Sequence, residues 1–189
     1  MDSSMYGSIP FPRGEEKCLS KGQMLTDRMM DYLAYLLFTK LGVDSEKYHL
    51  VPSFFCTFSQ DSIDWTMYNS FEKVFMIMNH NNHWFLFVYQ PKIHLFHLFD
   101  PLACEENSPI DFELFPIGEL DVVEDYYGKI PHQGISKTNC GILTLMYLVC
   151  QFLEKPIDFD ASPTYINKVI RPFFSKLLWD SSTPIDTLF

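Results

Sequence analysis

What this chain lacks narrows the choices first. Its five cysteines, Cys18, Cys56, Cys104, Cys140 and Cys150, are odd in number and contain no Cys-x-x-Cys pair, so they make no disulfide framework. The opening stretch, MDSSMYGSIPFPRGEE, lacks the apolar segment of a signal peptide. The longest strongly apolar run, Ile142 to Leu153, is too short to span a bilayer. Cationic side chains are scarce: 14 Lys and Arg stand against 24 Asp and Glu, for a net charge of −10. Such a surface repels phosphate backbones, which argues against nucleic acid and favours a basic face on a protein partner. No internal repeat or low-complexity tract occurs. The expectation is a reduced, soluble monomer of the cytoplasm or nucleus, bound to no membrane. Delivery into a host cell by a specialised export route stays open.

What is present is enough for one core. The chain has 189 residues, 47% of them hydrophobic, with 18 Phe and 10 Tyr. Residues 1–20 have no period and read as an arm on the surface, or disordered; 21–189 read as a single domain. Leu25 to Leu41 has helical spacing, with Thr26 as cap, Asp27 in the first turn, and Met29, Met30, Leu33, Leu36 and Leu37 as the buried stripe. Gly42 stops it. In Tyr48 to Phe58, Pro52 keeps an extended segment off a central strand. Lys73 to Asn79, Trp84 to Gln90 and Ile93 to Phe99 are aromatic and β-branched runs, read as consecutive strands, the last two a hairpin around Pro91. Pro101 to Gly118 is acidic and broken by prolines, Leu120 to Glu124 is a further strand, and Gly141 to Leu153 is a buried helix. Tyr165 to Leu178 is a last helix that Arg171–Pro172 either kinks or starts. Helices at both ends of a mid-chain sheet make an α+β domain.

The chemistry gathers at QGISKTNCGILTLMYLVC, Gln133 to Cys150, where a breaker-rich loop runs into the buried helix. Cys140 opens that helix, beside its free N–H groups and the positive end of its dipole. Asn139 is a good cap residue, and Gly141 allows close approach to the backbone. A lone cysteine opening a core helix is more often packing than catalysis, so a base and an orienter are required. His83 starts one strand and Asp100 closes the next, and antiparallel pairing makes the two neighbours. The Cys140 N–H and a folded-back Gln133 amide could hold an oxyanion. Other histidines, His80 with His83 and His94 with His97, stand three apart; on a strand such residues face opposite ways, so no metal site is expected. The remaining cysteines read as packing.

His83-Trp84, then Asp100, then Gln133 followed by Asn139-Cys140-Gly141, resembles the ubiquitin-like-protein-specific cysteine proteases. These are the sentrin-specific proteases and relatives, in the clan that also holds the adenovirus protease. LTDRMMDYLAYLL, VPSFFCTF and KVFMIMNHNNHW extend the resemblance over residues 22–178. It implies a papain-like α+β fold in circularly permuted order, with a mixed sheet flanked by helices. It further implies His83 as base, Asp100 as orienter, Cys140 as nucleophile and Gln133 as oxyanion donor. Trp84 would cover a channel for the modifier's Gly-Gly tail, and Asp27 would meet a basic residue of the modifier. Met24 stands where the family usually has a Trp forming the channel's other wall, Thr26 where it has Asn, and Asn139 where it has Asp. The Gln133-to-Cys140 interval is one residue longer than in most sentrin-specific proteases and matches the adenovirus type.

The implied activity is cleavage after the C-terminal Gly-Gly of SUMO, ubiquitin or a relative, needing no cofactor or metal, with the modifier and its conjugates as partners. Two other readings stand beside it: the acetyltransferase branch of the same clan, and a modifier-binding module without catalysis.

Overall fold

The computed structural model describes residues 9–53, 65–102, 122–126, 129–134 and 138–189. Helix α1, Asp27–Lys40, starts where expected because Thr26 Oγ1 accepts the Met29 N–H at 3.3 Å. Met29, Met30, Leu33, Ala34 and Leu37 form its buried stripe, while Leu36 lies at the margin. It ends in a Schellman closure: Val43 N–H donates to Phe38 O and Gly42 N–H to Thr39 O, each at 3.1 Å. Gly42 adopts φ 60°, the left-handed conformation this closure requires.

Five strands form one mixed sheet in sequence order: β1 Tyr48–Val51, β2 Lys73–His80, β3 His83–Gln90, β4 Leu95–Phe99 and β5 Val122–Asp125. The β2–β3–β4 centre is antiparallel, and the edge strands β1 and β5 run parallel to their neighbours. β1 stops before Pro52, which cannot donate to a ladder. Asn81 and Asn82, at φ 51° and 61°, make the two-residue β2–β3 turn, as left-handed asparagines favour. A 3₁₀ turn over Pro91–Ile93 joins β3 to β4. A second, Trp65–Tyr68, lies before β2. The acidic 103–121 stretch, and with it Cys104, lies outside the described residues, as do Cys56 and the rest of 54–64.

Both faces of the sheet are buried. Phe75, Ile77, Trp84, Leu86, Val88 and Phe99 join α1 and α2, Cys140–Phe152, in the larger core. Phe85, Phe87, Tyr89, Phe96 and Leu98 form a second cluster on the far face, with Trp65 packed against it. α2 is buried along nearly its whole length, from Cys140 to Cys150. The last helical stretch is broken in register: α3, Pro163–Tyr165, passes through a π-helical turn, Ile166–Ile170, into α4, Arg171–Trp179. Pro172 has no N–H to continue the helical ladder, and the wider turn absorbs that gap.

The arm reading needs correction for its last part. Glu16–Leu19 form a 3₁₀ turn whose Cys18 and Leu19 are buried in the main core. Phe11 packs its ring 5.0 Å from that of Trp179. Two isolated apolar residues carry no period, so only the tertiary partners reveal their burial.

Candidate active site

The β2–β3 turn and the end of β4 place the first two groups. Leu86 pairs with Phe99, so Asp100 continues alongside the first residues of β3. There, His83 Nε2 donates to Asp100 Oδ1 at 2.5 Å. The carboxylate is held from behind, its Oδ1 also accepting the Leu102 N–H at 2.8 Å. Its side chain is fully buried while that of His83 keeps 12% exposure. A partly open imidazole backed by a buried carboxylate is the arrangement of an oriented base.

Cys140 is the first residue of α2, and it lies close enough to the His83 ring to help hold that ring's proton. Asp100 occupies Nε2, which leaves Nδ1 as the ring nitrogen open to a nucleophile. Burial alone would lower the pKa of His83, but its bond to Asp100 and the influence of nearby Cys140 outweigh this and raise it from 6.5 to about 9. The ring is therefore an imidazolium at neutral pH. Cys18 and Cys150 differ: burial pushes both thiols up, Cys150 to about 11, which leaves them protonated and inert.

The raised value makes a stability prediction. His83 binds its proton more tightly folded than unfolded, so its contribution is complete below pH 6.5 and disappears as pH rises through about 9. Urea unfolding across that window should show stability falling with pH, and a flatter profile in H83Q. Equal slopes in the two proteins would contradict the ion pair.

Gln133 is buried, at 4% exposure, and its backbone N–H donates to Pro101 O at 3.0 Å, immediately beyond Asp100. The neighbouring His132 is exposed and takes the Gly134 N–H on Nδ1 at 3.1 Å, so it closes the turn at Gly134. Of the two adjacent residues, Gln133 faces inward, its Oε1 buried without a hydrogen bond. Residues 135–137 of the Gln133-to-Cys140 interval lie outside the described residues.

Trp84, Leu25 and Gly141 interlock beside the cysteine. Trp84 is 1% exposed, and its indole N–H donates to Leu25 O at 3.1 Å. A Cβ on Gly141 would stand 3.1 Å from Trp84 Cδ1 and 3.2 Å from Leu25 Cβ. The close approach read at Gly141 is thus made here by the protein's own side chains. G141A should cost about 1–3 kcal/mol, read by urea unfolding, because the indole must shift. A fully stable G141A would show that the Trp84 ring yields freely. Met24 is partly buried against the same core, whereas Asp27 is exposed in the first turn of α1.

The C-terminal Ulp1 protease domain in complex with Smt3, the yeast ortholog of SUMO, superposes with a TM-score of 0.65 at 19% identity, over 90% of this chain and 83% of that one. The Chaetomium thermophilum Ulp1-like SUMO protease catalytic domain gives 0.64 at 17% identity, over 93% and 81%. SUMO protease Ulp1 with its catalytic cysteine oxidised to a sulfenic acid gives 0.62 at 20%, over 87% and 81%. The fold is that of the Ulp1-like SUMO proteases. No family model matches the sequence, and no curated relative does. The α+β, papain-like expectation therefore holds.

Two site readings change on the structure. Asn139 occupies the N-cap position of α2 but makes no capping bond; its Oδ1 accepts from Arg171 Nη2 at 3.0 Å. His80 and His83 do not face opposite ways: they are cross-strand partners at the hairpin mouth, because the turn folds one onto the other. His83 is engaged by Asp100 and His80 Nε2 by Asn81 Nδ2, at 2.9 Å. His97 holds Gln90 and Tyr126. Among the described residues, no cluster of three His, Cys, Asp or Glu could hold a metal, and no helix is long and apolar enough to cross a membrane.

Proposed function

We propose that this protein is a thiol protease that cleaves after the terminal Gly-Gly of a ubiquitin-like modifier, as precursor or conjugate. The observation that carries this reading is the bond from buried Asp100 to His83, with Cys140 near the same ring at the tip of α2 in an Ulp1-like fold. The Cys140 thiolate, paired with the His83 imidazolium, attacks the glycine carbonyl carbon. The resulting oxyanion takes hydrogen bonds from the Cys140 N–H and the Gln133 amide. The C–N bond breaks as His83 gives its proton to the departing amine, leaving a thioester. Neutral His83 then takes a proton from water, whose oxygen displaces the sulfur and frees the glycine carboxylate. Trp84 and Met24 wall the glycine channel and Asp27 meets a basic residue of the modifier. Because Trp84 lies packed on Leu25 and Gly141, the tail enters by displacing that contact, and only glycines are slim enough to follow.

A panel of ubiquitin, SUMO and related modifiers carrying an electrophilic C-terminus tests the reading. Labelling of Cys140 by one member, with hydrolysis of the matching fluorogenic substrate, is expected. Binding without labelling would mark a non-catalytic module, and acetyl-CoA turnover at Cys140 an acetyltransferase.

A further inference from the structure

Among the described residues, Arg171 is a buried arginine with no carboxylate partner. It opens α4, directly after the π-helical turn, and is 2% exposed. Its Nη1 donates to Cys18 O at 3.2 Å and Ser20 O at 3.0 Å. Its Nη2 donates to Gln23 O at 2.8 Å, Thr138 O at 2.9 Å and Asn139 Oδ1 at 3.0 Å. No carboxylate is among these partners; four carbonyl dipoles and one amide hold the cation. A buried guanidinium costs a great deal unless such acceptors meet it, so the carbonyls are pulled into a fixed arrangement around its planar fork. Two segments distant in sequence converge there: Cys18 to Gln23, which leads into α1, and the two residues that precede Cys140.

We propose that Arg171 is a positioning residue of the active site, which fixes Thr138 and Asn139 and so sets the first turn of α2 against His83. Asn139 leaves its own cap unmade to serve this bond, and the backbone that delivers the Cys140 N–H is tied through it. The same guanidinium anchors Gln23 O, two residues before Leu25, whose carbonyl takes the Trp84 indole N–H. Nucleophile and channel wall are thereby held by one side chain that touches neither substrate nor sulfur.

The inference rests on Cys140 being the nucleophile, and its test separates the two ideas. Alkylation of Cys140 by iodoacetamide, followed by peptide mass spectrometry, needs no modifier. R171M should slow this alkylation and lower kcat by about 10- to 100-fold with KM little changed, and R171K should restore part of both. N139L removes one bond of the five and leaves the other anchors, so a folded protein with both rates reduced is expected even where R171M fails to fold. Wild-type alkylation and kcat in N139L and in every folded Arg171 variant would overturn the proposal. A wild-type protein inert to all modifier probes would sink the proteolytic reading, while the alkylation comparison would still judge Arg171.

Discussion

C140A should reduce hydrolysis of the tail-derived fluorogenic substrate to background, a loss of at least about 10³-fold, with modifier binding retained. The size follows from the chemistry: without the sulfur no thioester forms, and the remaining oxyanion donors act only on slow attack by water. The substitution is also structurally mild. Cys140 is 1% exposed in the larger core, and Ala favours the helix it opens. Circular dichroism of C140A should therefore match the wild type, while urea unfolding should show a small loss below about pH 9, where Cys140 helps hold the His83 proton. Hydrolysis that survives in C140A would remove the mechanism and leave only the fold.

The parts of this site that could be read from residues are those whose geometry is local. His83 and Asp100 meet because two adjacent strands joined by a short turn bring one's start to the other's end, and the spacing is visible in the sequence. Thr26 and Gly42 mark the two ends of α1 because capping depends on neighbouring positions. Arg171 left no such trace. Four of its acceptors are backbone carbonyls, which every residue possesses, so nothing in the side chains of Cys18, Ser20, Gln23 or Thr138 announces them. Its side-chain partner among the described residues, Asn139, looks like an ordinary cap, and the two are joined only by the tertiary fold. An arginine beside a proline, in an otherwise apolar helical face, was the available signal: on that face it must find partners or stay out of the core. The burial of Leu19 and the parallel edge pairings of β1 and β5 were hidden for the same reason, since their partners are remote in sequence.

D100N is expected to lower kcat/KM by about 10²-fold or more and to draw the alkaline limb of the pH–rate profile to lower pH. Asp100 is one of the two groups that hold the His83 proton to about 9 against the opposing effect of burial. A carboxamide of the same shape keeps the acceptor for the Leu102 N–H and for His83 Nε2, but loses the negative charge. The imidazolium then gives up its proton earlier as pH rises, and the thiolate–imidazolium pair collapses sooner. Because that pair is both the attacking species and the proton source for the leaving amine, activity must fall with it. The profile distinguishes this from simple misplacement of the ring: a misplaced His83 lowers rates at every pH, whereas a lost charge moves the limb. An alkaline limb unmoved in D100N would mean that Asp100 only orients the ring and that Cys140 alone holds its proton.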